Sequence, residues 1–238
     1  MKGDNYMNEL YHHGVKGQKW GVRNGPPYPI LNGTRRRELS IKKATRYQFD
    51  NVNHKNRDTY VSYTDNDRRT YEKWIKKYSN EPVYEVVYNF KQSLKIPSKS
   101  EQREVFKELA KDDDFRKGLG AMHKCRELTN KNHGKKPDFN DPKIKKIISE
   151  YNEDVPINKH SFQTFLNWFT LRNVDPRIEK TKSMFIDSLQ SKGYNAITDL
   201  HDYGSQILWD DYDSISEDPL IVFDIDKLIS KISMKKIK

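Results

Sequence analysis

The sequence contains few of the residues on which several protein classes depend. It has one cysteine, Cys125, among 238 residues, which excludes an internal disulfide framework and a zinc site built from several cysteines. None of its apolar runs approaches the roughly 18 residues of a membrane-spanning helix, and its charged N-terminus lacks the apolar segment of a secretory signal. We therefore expect a protein that is made in a reducing cytosol and has no membrane partner.

Hydrophobic residues are also scarce, at 34% of the chain, and charged residues are almost as frequent, at 33%. Such a composition approaches that of disordered chains, but those are poor in aromatic residues. This sequence has 14 Tyr, 10 Phe and 4 Trp. It therefore predicts one domain with a small aromatic core and a polar surface.

The net charge of +10 is unevenly distributed. Residues 1–46 carry ten basic and three acidic side chains, residues 210–226 carry seven acidic and no basic ones, and residues 227–238 carry five lysines. Basic ends attract polyanions, and this attraction weakens with added salt. The charge is consistent with nucleic-acid binding through the basic ends and equally with solubility alone, so both interpretations stay open here.

The N-terminal segment 1–37 has the composition of a flexible docking box and linker. Its residues 11–23 read YHHGVKGQKWGVR, in which three glycines disfavour both helix and strand, and three prolines follow by position 29. Trp20 offers a large anchor for a partner. The expected partner-binding residues are His12, His13, Lys16, Lys19, Trp20 and Arg23. The alternative is that Trp20 packs onto the chain's own core.

Residues 38–238 are predicted to form an α+β domain with a split, mixed or antiparallel sheet. Strands are expected at 44–50, 59–64, 83–90, 194–199 and 220–224, with the last of these central and buried. We expect the first two strands to pair, with Tyr47 and Phe49 on one face of the first. A polar helical insertion is predicted at about 101–190, with a loop at 130–142, and a lysine-rich helix is predicted to end the chain.

Most familiar catalytic motifs are missing, including phosphate-binding loops, nucleophile elbows and zinc-protease helices. Cys125 lies between Lys124 and Arg126, which would lower its pKa if it were exposed, and His123 or His133 could then serve as a base. A plain structural cysteine is the alternative that we favour. His12 and His13 have no further metal ligand at a suitable spacing, so we expect no metal site.

A more specific candidate site lies on the first two predicted strands. Arg46 on one strand and Ser62 and Thr64 on the next combine a cation with two hydroxyls, which together can hold a phosphate or a ribose. The alternative is that these polar side chains only decorate the solvent face of an amphipathic sheet.

The YHHGVKGQKWGVR segment resembles a box at the N-terminus of many bacteriophage and prophage proteins of Gram-positive hosts. Those proteins are mostly virion-associated or head-morphogenesis proteins. The resemblance implies that residues 11–23 dock onto a phage structural protein, such as a capsid or portal protein. It also implies a location in the virion or the host cytoplasm.

Three further segments, TYVSYTDND, VYEVVYNFKQSLKIPS and GYNAITD with DPLIVFD, are similar to the C-terminal region of the same proteins, which has a divergent ADP-ribosyltransferase-like fold. That fold binds nicotinamide adenine dinucleotide (NAD) in a cleft between two small sheets. The resemblance assigns Arg46 as the first-strand arginine and Ser62-Tyr63-Thr64 as a degenerate Ser-Thr-Ser stretch. It leaves Glu217 or Asp218 as the catalytic acid, without the usual Glu-x-Glu pair.

Three hypotheses for the function follow. The first is a phage-encoded virion- or head-associated protein with a degenerate ADP-ribosyltransferase-like domain. The second is an active NAD-dependent ADP-ribosyltransferase that modifies a host protein or nucleic acid. The third is a nucleic-acid-binding protein that acts through its basic ends.

Overall fold

A computed structural model describes residues 41–52, 57–78, 80–132, 136–169, 171–198 and 220–238. The predicted docking box and its six partner-binding residues, His12, His13, Lys16, Lys19, Trp20 and Arg23, lie outside these residues. Glu217 and Asp218 also lie outside them. Over the described residues the protein is an α+β domain with six strands and seven helices.

Along the described sequence, strands and helices are mixed in the first and last parts, and the middle part contains helices only. The strands are β1 (Lys43–Gln48), β2 (Asp58–Val61), β3 (Tyr84–Phe90), β4 (Ala196–Thr198), β5 (Leu220–Phe223) and β6 (Ile229–Lys236). The helices are α1 (Asp65–Tyr78), α2 (Lys99–Leu109), α3 (Asp113–Lys131), α4 (Pro142–Ser149), α5 (Lys159–Asn167), α6 (Pro176–Ser191) and α7 (Ile225–Leu228). Among these helices none is both long and apolar enough to cross a bilayer.

The strands form two antiparallel sheets of three strands each. The first sheet has the order β1-β3-β6, and the second has the order β2-β5-β4. A single bridge joins them: the Thr45 N–H donates to the Ser62 carbonyl at 2.7 Å, and the Ser62 N–H donates to the Thr45 carbonyl at 2.8 Å. The predicted pairing of the first two strands is therefore wrong, because β1 and β2 belong to different sheets and meet only at this bridge.

The second sheet is the middle layer of the domain. Side chains alternate across a strand, so neighbouring residues face opposite ways. On β5, Leu220 and Val222 pack in a core with residues of the first sheet, whereas Ile221 and Phe223 pack against the helices. All four residues of β5 are buried, which confirms the predicted central strand. The order of layers is first sheet, second sheet, helices.

The helical layer is the predicted insertion, and it runs from α2 to α6. Its centre is a cluster of phenylalanine rings in mostly edge-to-face contact, with Phe165 in contact with four others at centroid distances of 4.8–5.7 Å. Side chains cap the helix N-termini, as in the capping box of Ser98 and Glu101 and the Asp175 cap of α6. The insertion is therefore a packed unit with an aromatic core, although its composition is polar.

The structure corrects two other predictions. The C-terminal segment is strand β6 rather than a lysine-rich helix, because it pairs with β3, its Ile229, Ile232 and Met234 pack against the core that the two sheets share, and its lysines are exposed. Phe49 lies beyond the end of β1 and is 48% exposed, so it shares no apolar face with Tyr47.

Candidate functional site

A cleft of about 310 Å³ opens where β1 and β2 meet. The cleft is bordered by residues of both strands, of α1 and of the segment after α5. It therefore lies between the two sheets, and the insertion contributes one side of it. The lining residues are Thr45, Arg46, Tyr47, Tyr60, Val61, Ser62, Ile75 and Arg172.

The bridge between the sheets positions two of the predicted site residues. Arg46 follows Thr45, and Thr45 forms the bridge with Ser62, so Arg46 and Ser62 both border the cleft. The predicted third member, Thr64, is not one of the residues that line it. Its carbonyl oxygen instead accepts the Arg68 N–H at 3.1 Å, at the start of α1. The structure thus brings Arg46 and Ser62 together and leaves Thr64 beside them.

Arg46 on β1 lies diagonally across from Tyr88 on β3, whose direct cross-strand partner is Ala44. The Tyr88 side chain is 1% exposed, and burial raises the pKa of its hydroxyl, while the nearby Arg46 guanidinium opposes that shift. The positive charge of Arg46 therefore lies between a buried phenol and the open cleft. In such a place a cation is poorly screened and attracts an anionic ligand.

Tyr47 gives the cleft a neutral hydroxyl. Its hydroxyl donates to Oε1 of Glu85 on β3 at 3.4 Å. Burial raises the pKa of Tyr47, and the Glu85 carboxylate raises it further. Tyr47 therefore stays protonated across the physiological range, and its ring contributes an apolar wall beside Arg46.

A second cation reaches the cleft from the helical insertion. Arg172 follows α5, and its Nη2 donates to the Asp58 carbonyl at 2.5 Å and to Asp58 Oδ1 at 3.0 Å. Asp58 is the first residue of β2 and is buried. Burial raises the pKa of its carboxyl, while Arg172 and Lys182 pull the pKa down. Arg172 thus joins the insertion to the strand that carries the site.

Lys182 completes this buried polar group. It is 3% exposed on α6, it donates to the Leu171 carbonyl at 2.7 Å, and its Nζ lies 4.0 Å from Asp58 Oδ2. Its third neighbour is Glu179, at 2.9 Å. The sequence could have indicated Lys182, because this residue lies at helical spacing from the inward-facing Ile178 and Phe185. The sequence contains no local pattern that indicates Arg172, which is remote along the chain from β1 and β2.

The alternative catalytic and metal-binding candidates gain no support. Cys125 is fully buried, and burial together with Asp175 raises its pKa to about 12, so the exposed, activated thiol is not formed. No group of three or more His, Cys, Asp or Glu residues in the described ranges could hold a metal ion. The pair His12 and His13 lies outside those ranges.

Comparison with known proteins finds a family match in the N-terminal segment. Residues 3–27 match the model of a family of unknown function, DUF7211. This segment includes the predicted docking box and ends before the described domain begins. Comparison of the chain with the curated proteins and with the solved structures found no significant match.

Proposed function

We propose that this chain is a phage-encoded virion- or head-associated protein whose α+β domain binds NAD in the cleft between its two sheets, in the manner of an ADP-ribosyltransferase-like domain. One observation carries the proposal. Arg46 on β1 and Ser62 at the end of β2 belong to different sheets, yet they border one cleft beside the Thr45–Ser62 bridge. A cation and a hydroxyl at one opening are suited to a phosphate and a ribose.

The size and walls of the cleft support a ligand of this class. Its volume of about 310 Å³ is at the lower end of the roughly 300–1,000 Å³ range of small-molecule sites. It suits one half of a dinucleotide with the other half extending outward. Tyr47 and Tyr60 provide aromatic surface for a planar ring, and Ile75 provides apolar surface.

The register of the second sheet also supports the proposal. Leu220 pairs with Val61, so β5 begins beside the end of β2, next to Ser62. The resemblance places the catalytic acid just before the last strand of this sheet, and Glu217 and Asp218 precede β5 in the sequence. Their role remains a proposal, since both lie outside the described residues.

Calorimetric titration of the full chain with NAD tests the binding. We expect saturable binding by the wild-type protein, and we expect Arg46→Gln and Ser62→Ala to weaken it by about tenfold or more, since each removes a direct polar partner. Arg116→Gln is a matched control, because Arg116 pairs with Asp154 on the surface of the insertion, away from the cleft. Absence of NAD binding by the wild-type protein would refute the proposed function.

An assay with labelled NAD distinguishes a domain that only binds NAD from an active transferase. Incubation with host lysate should label a target if the enzyme is active, and Glu217→Gln or Asp218→Asn should abolish that labelling, because the acid stabilises the developing positive charge of the sugar. Binding without any labelled product would assign the domain as a degenerate, non-catalytic member.

The docking half of the proposal rests on residues 11–23. They fall within the segment 3–27 that matches a family model on its own, which supports a self-contained module. Deletion of residues 1–24 should prevent incorporation into phage particles, and Trp20→Ala should reduce it strongly. Particles that contain the truncated chain at the normal level would contradict this function of the box.

A further inference from the structure

Among the residues that the structure describes, Arg172 is the one lining residue of the cleft that the helical insertion provides. Both of its hydrogen bonds to Asp58 use the same nitrogen, Nη2. Nε and Nη1 of this guanidinium have no hydrogen-bond partner within the part of the chain that the structure describes. These two nitrogens carry three N–H donors, each of which can donate to an oxygen of a phosphate.

The burial of the pair is asymmetric. The Asp58 side chain is 11% exposed, whereas the Arg172 side chain is 40% exposed. The carboxylate is therefore on the protein side of the pair, and the guanidinium is on the side of the cleft. Asp58 restricts the orientation of Arg172 through Nη2 alone, without occupying Nε and Nη1, which reduces the entropy lost when a ligand binds.

We propose that Arg172, oriented by Asp58, binds a phosphate group of the ligand in the Arg46–Ser62 cleft, so that the insertion takes part in ligand recognition. This inference rests on the proposed function and adds a specificity-determining residue to it. Two arginines at one small cleft, Arg46 from the first sheet and Arg172 from the insertion, favour a ligand with two charged groups, such as a diphosphate. Asp58 acts as a positioning residue.

The test compares the affinities of three probes, NAD, ADP-ribose and adenosine, by calorimetry with the full chain. Arg172→Gln should weaken binding of NAD and ADP-ribose by about tenfold or more, and it should change adenosine binding by less than twofold, because adenosine has no phosphate. Arg116→Gln removes the same charge from the same insertion at a similar exposure, 36% against 40%, and should leave all three affinities unchanged.

Two further variants separate ligand binding from loss of folding. Arg172→Lys keeps the charge beside Asp58 but loses the N–H donors at Nε and Nη1, so it should fold and bind ADP-ribose with intermediate affinity. Asp58→Asn should weaken ADP-ribose binding in the wild-type background and have little additional effect in Arg172→Gln. Such non-additivity is expected only if Asp58 acts through Arg172, whereas a purely structural effect of Asp58 would weaken binding equally in both backgrounds.

The experiment distinguishes failure of the Arg172 proposal from failure of the proposed function. If NAD and ADP-ribose bind to the wild-type protein and to Arg172→Gln and Arg172→Lys with equal affinity, the role of Arg172 is refuted while the proposed function stands. An equal loss of adenosine and ADP-ribose binding in Arg172→Gln would also refute phosphate recognition. If the wild-type protein binds neither nucleotide, both proposals are refuted.

Discussion

The contact between α3 and α6 makes Gly118 sensitive to an added side chain. A Cβ atom at this position would lie 2.5 Å from the Arg177 carbonyl oxygen and 2.7 Å from Thr181 Cβ, and it would overlap Thr181 Oγ1. Thr181 is itself fully buried, and its hydroxyl donates to the Phe115 carbonyl at 3.2 Å. We therefore predict that Gly118→Ala forces α6 away from α3.

The expected magnitude follows from opposing effects. Replacing Gly by Ala inside a helix stabilises it by about 1 kcal/mol. Overpacking costs about 1–3 kcal/mol, and the upper end applies here because a backbone carbonyl cannot rotate away as a side chain can. Loss of the Thr181 hydrogen bond adds about 1 kcal/mol. The free energy of unfolding should fall by about 2–3 kcal/mol, which corresponds to a melting temperature lower by about 5–10 °C.

Gly120→Ala is the matched control, because it changes the same helix two residues away. Its added Cβ would lie 3.1 Å from the Glu153 carbonyl oxygen and 3.8 Å from the Tyr151 ring, so small shifts accommodate it. Urea unfolding of both variants and the wild type, followed by circular dichroism at 222 nm, measures the difference. If Gly118→Ala is as stable as Gly120→Ala or the wild type, the close α3–α6 contact described here is wrong.

Three further predictions concern other parts of the insertion. Phe165→Ala should lower the free energy of unfolding by about 3–5 kcal/mol in urea titrations, since it leaves a cavity among four rings, and a loss below about 1 kcal/mol would contradict that packing. Cys125, with its pKa raised to about 12, should react with a thiol reagent at pH 8 only after the protein is unfolded; rapid labelling of the native protein would show that it is accessible. Hydrogen bonds from Lys131 and Lys124 lower the pKa of Glu127 from 4.5 to about 2, so its stabilising effect is present above about pH 4.5 and is lost as the pH falls toward 2. Acid unfolding of Glu127→Gln should accordingly be shallower than that of the wild type over this range, and identical curves would refute the effect.

Local signals predicted much of the secondary structure. The capping box of Ser98 and Glu101 and the Asp175 cap were visible in the sequence because a cap satisfies backbone groups only one turn away. Strand β5 was visible because its four consecutive apolar residues suit a strand that is covered on both faces. Each of these signals is complete within a few neighbouring residues.

The errors have a common cause. The segment 229–236 contains lysines at a frequency compatible with a helix, and only its hydrogen bonds to β3 decide that it is a strand. Helix α3 was not predicted as a separate element within the polar helical insertion, although Phe115, Leu119 and Met122 form a buried stripe along it. In both segments the packing partner lies far away in the sequence and overrides the local composition.

The candidate site was likewise determined partly by the local sequence and partly by the tertiary structure. The residue types at Arg46 and Ser62 suggested a site from the sequence, because alternation along a strand indicates which side chains share a face. That the two strands belong to separate sheets, meet at one bridge and leave a cleft there was decided by the tertiary structure. Arg172 and its partner Asp58 come together only through the packing of the insertion on the second sheet, since burial of apolar surface between remote segments has no signature in the local sequence.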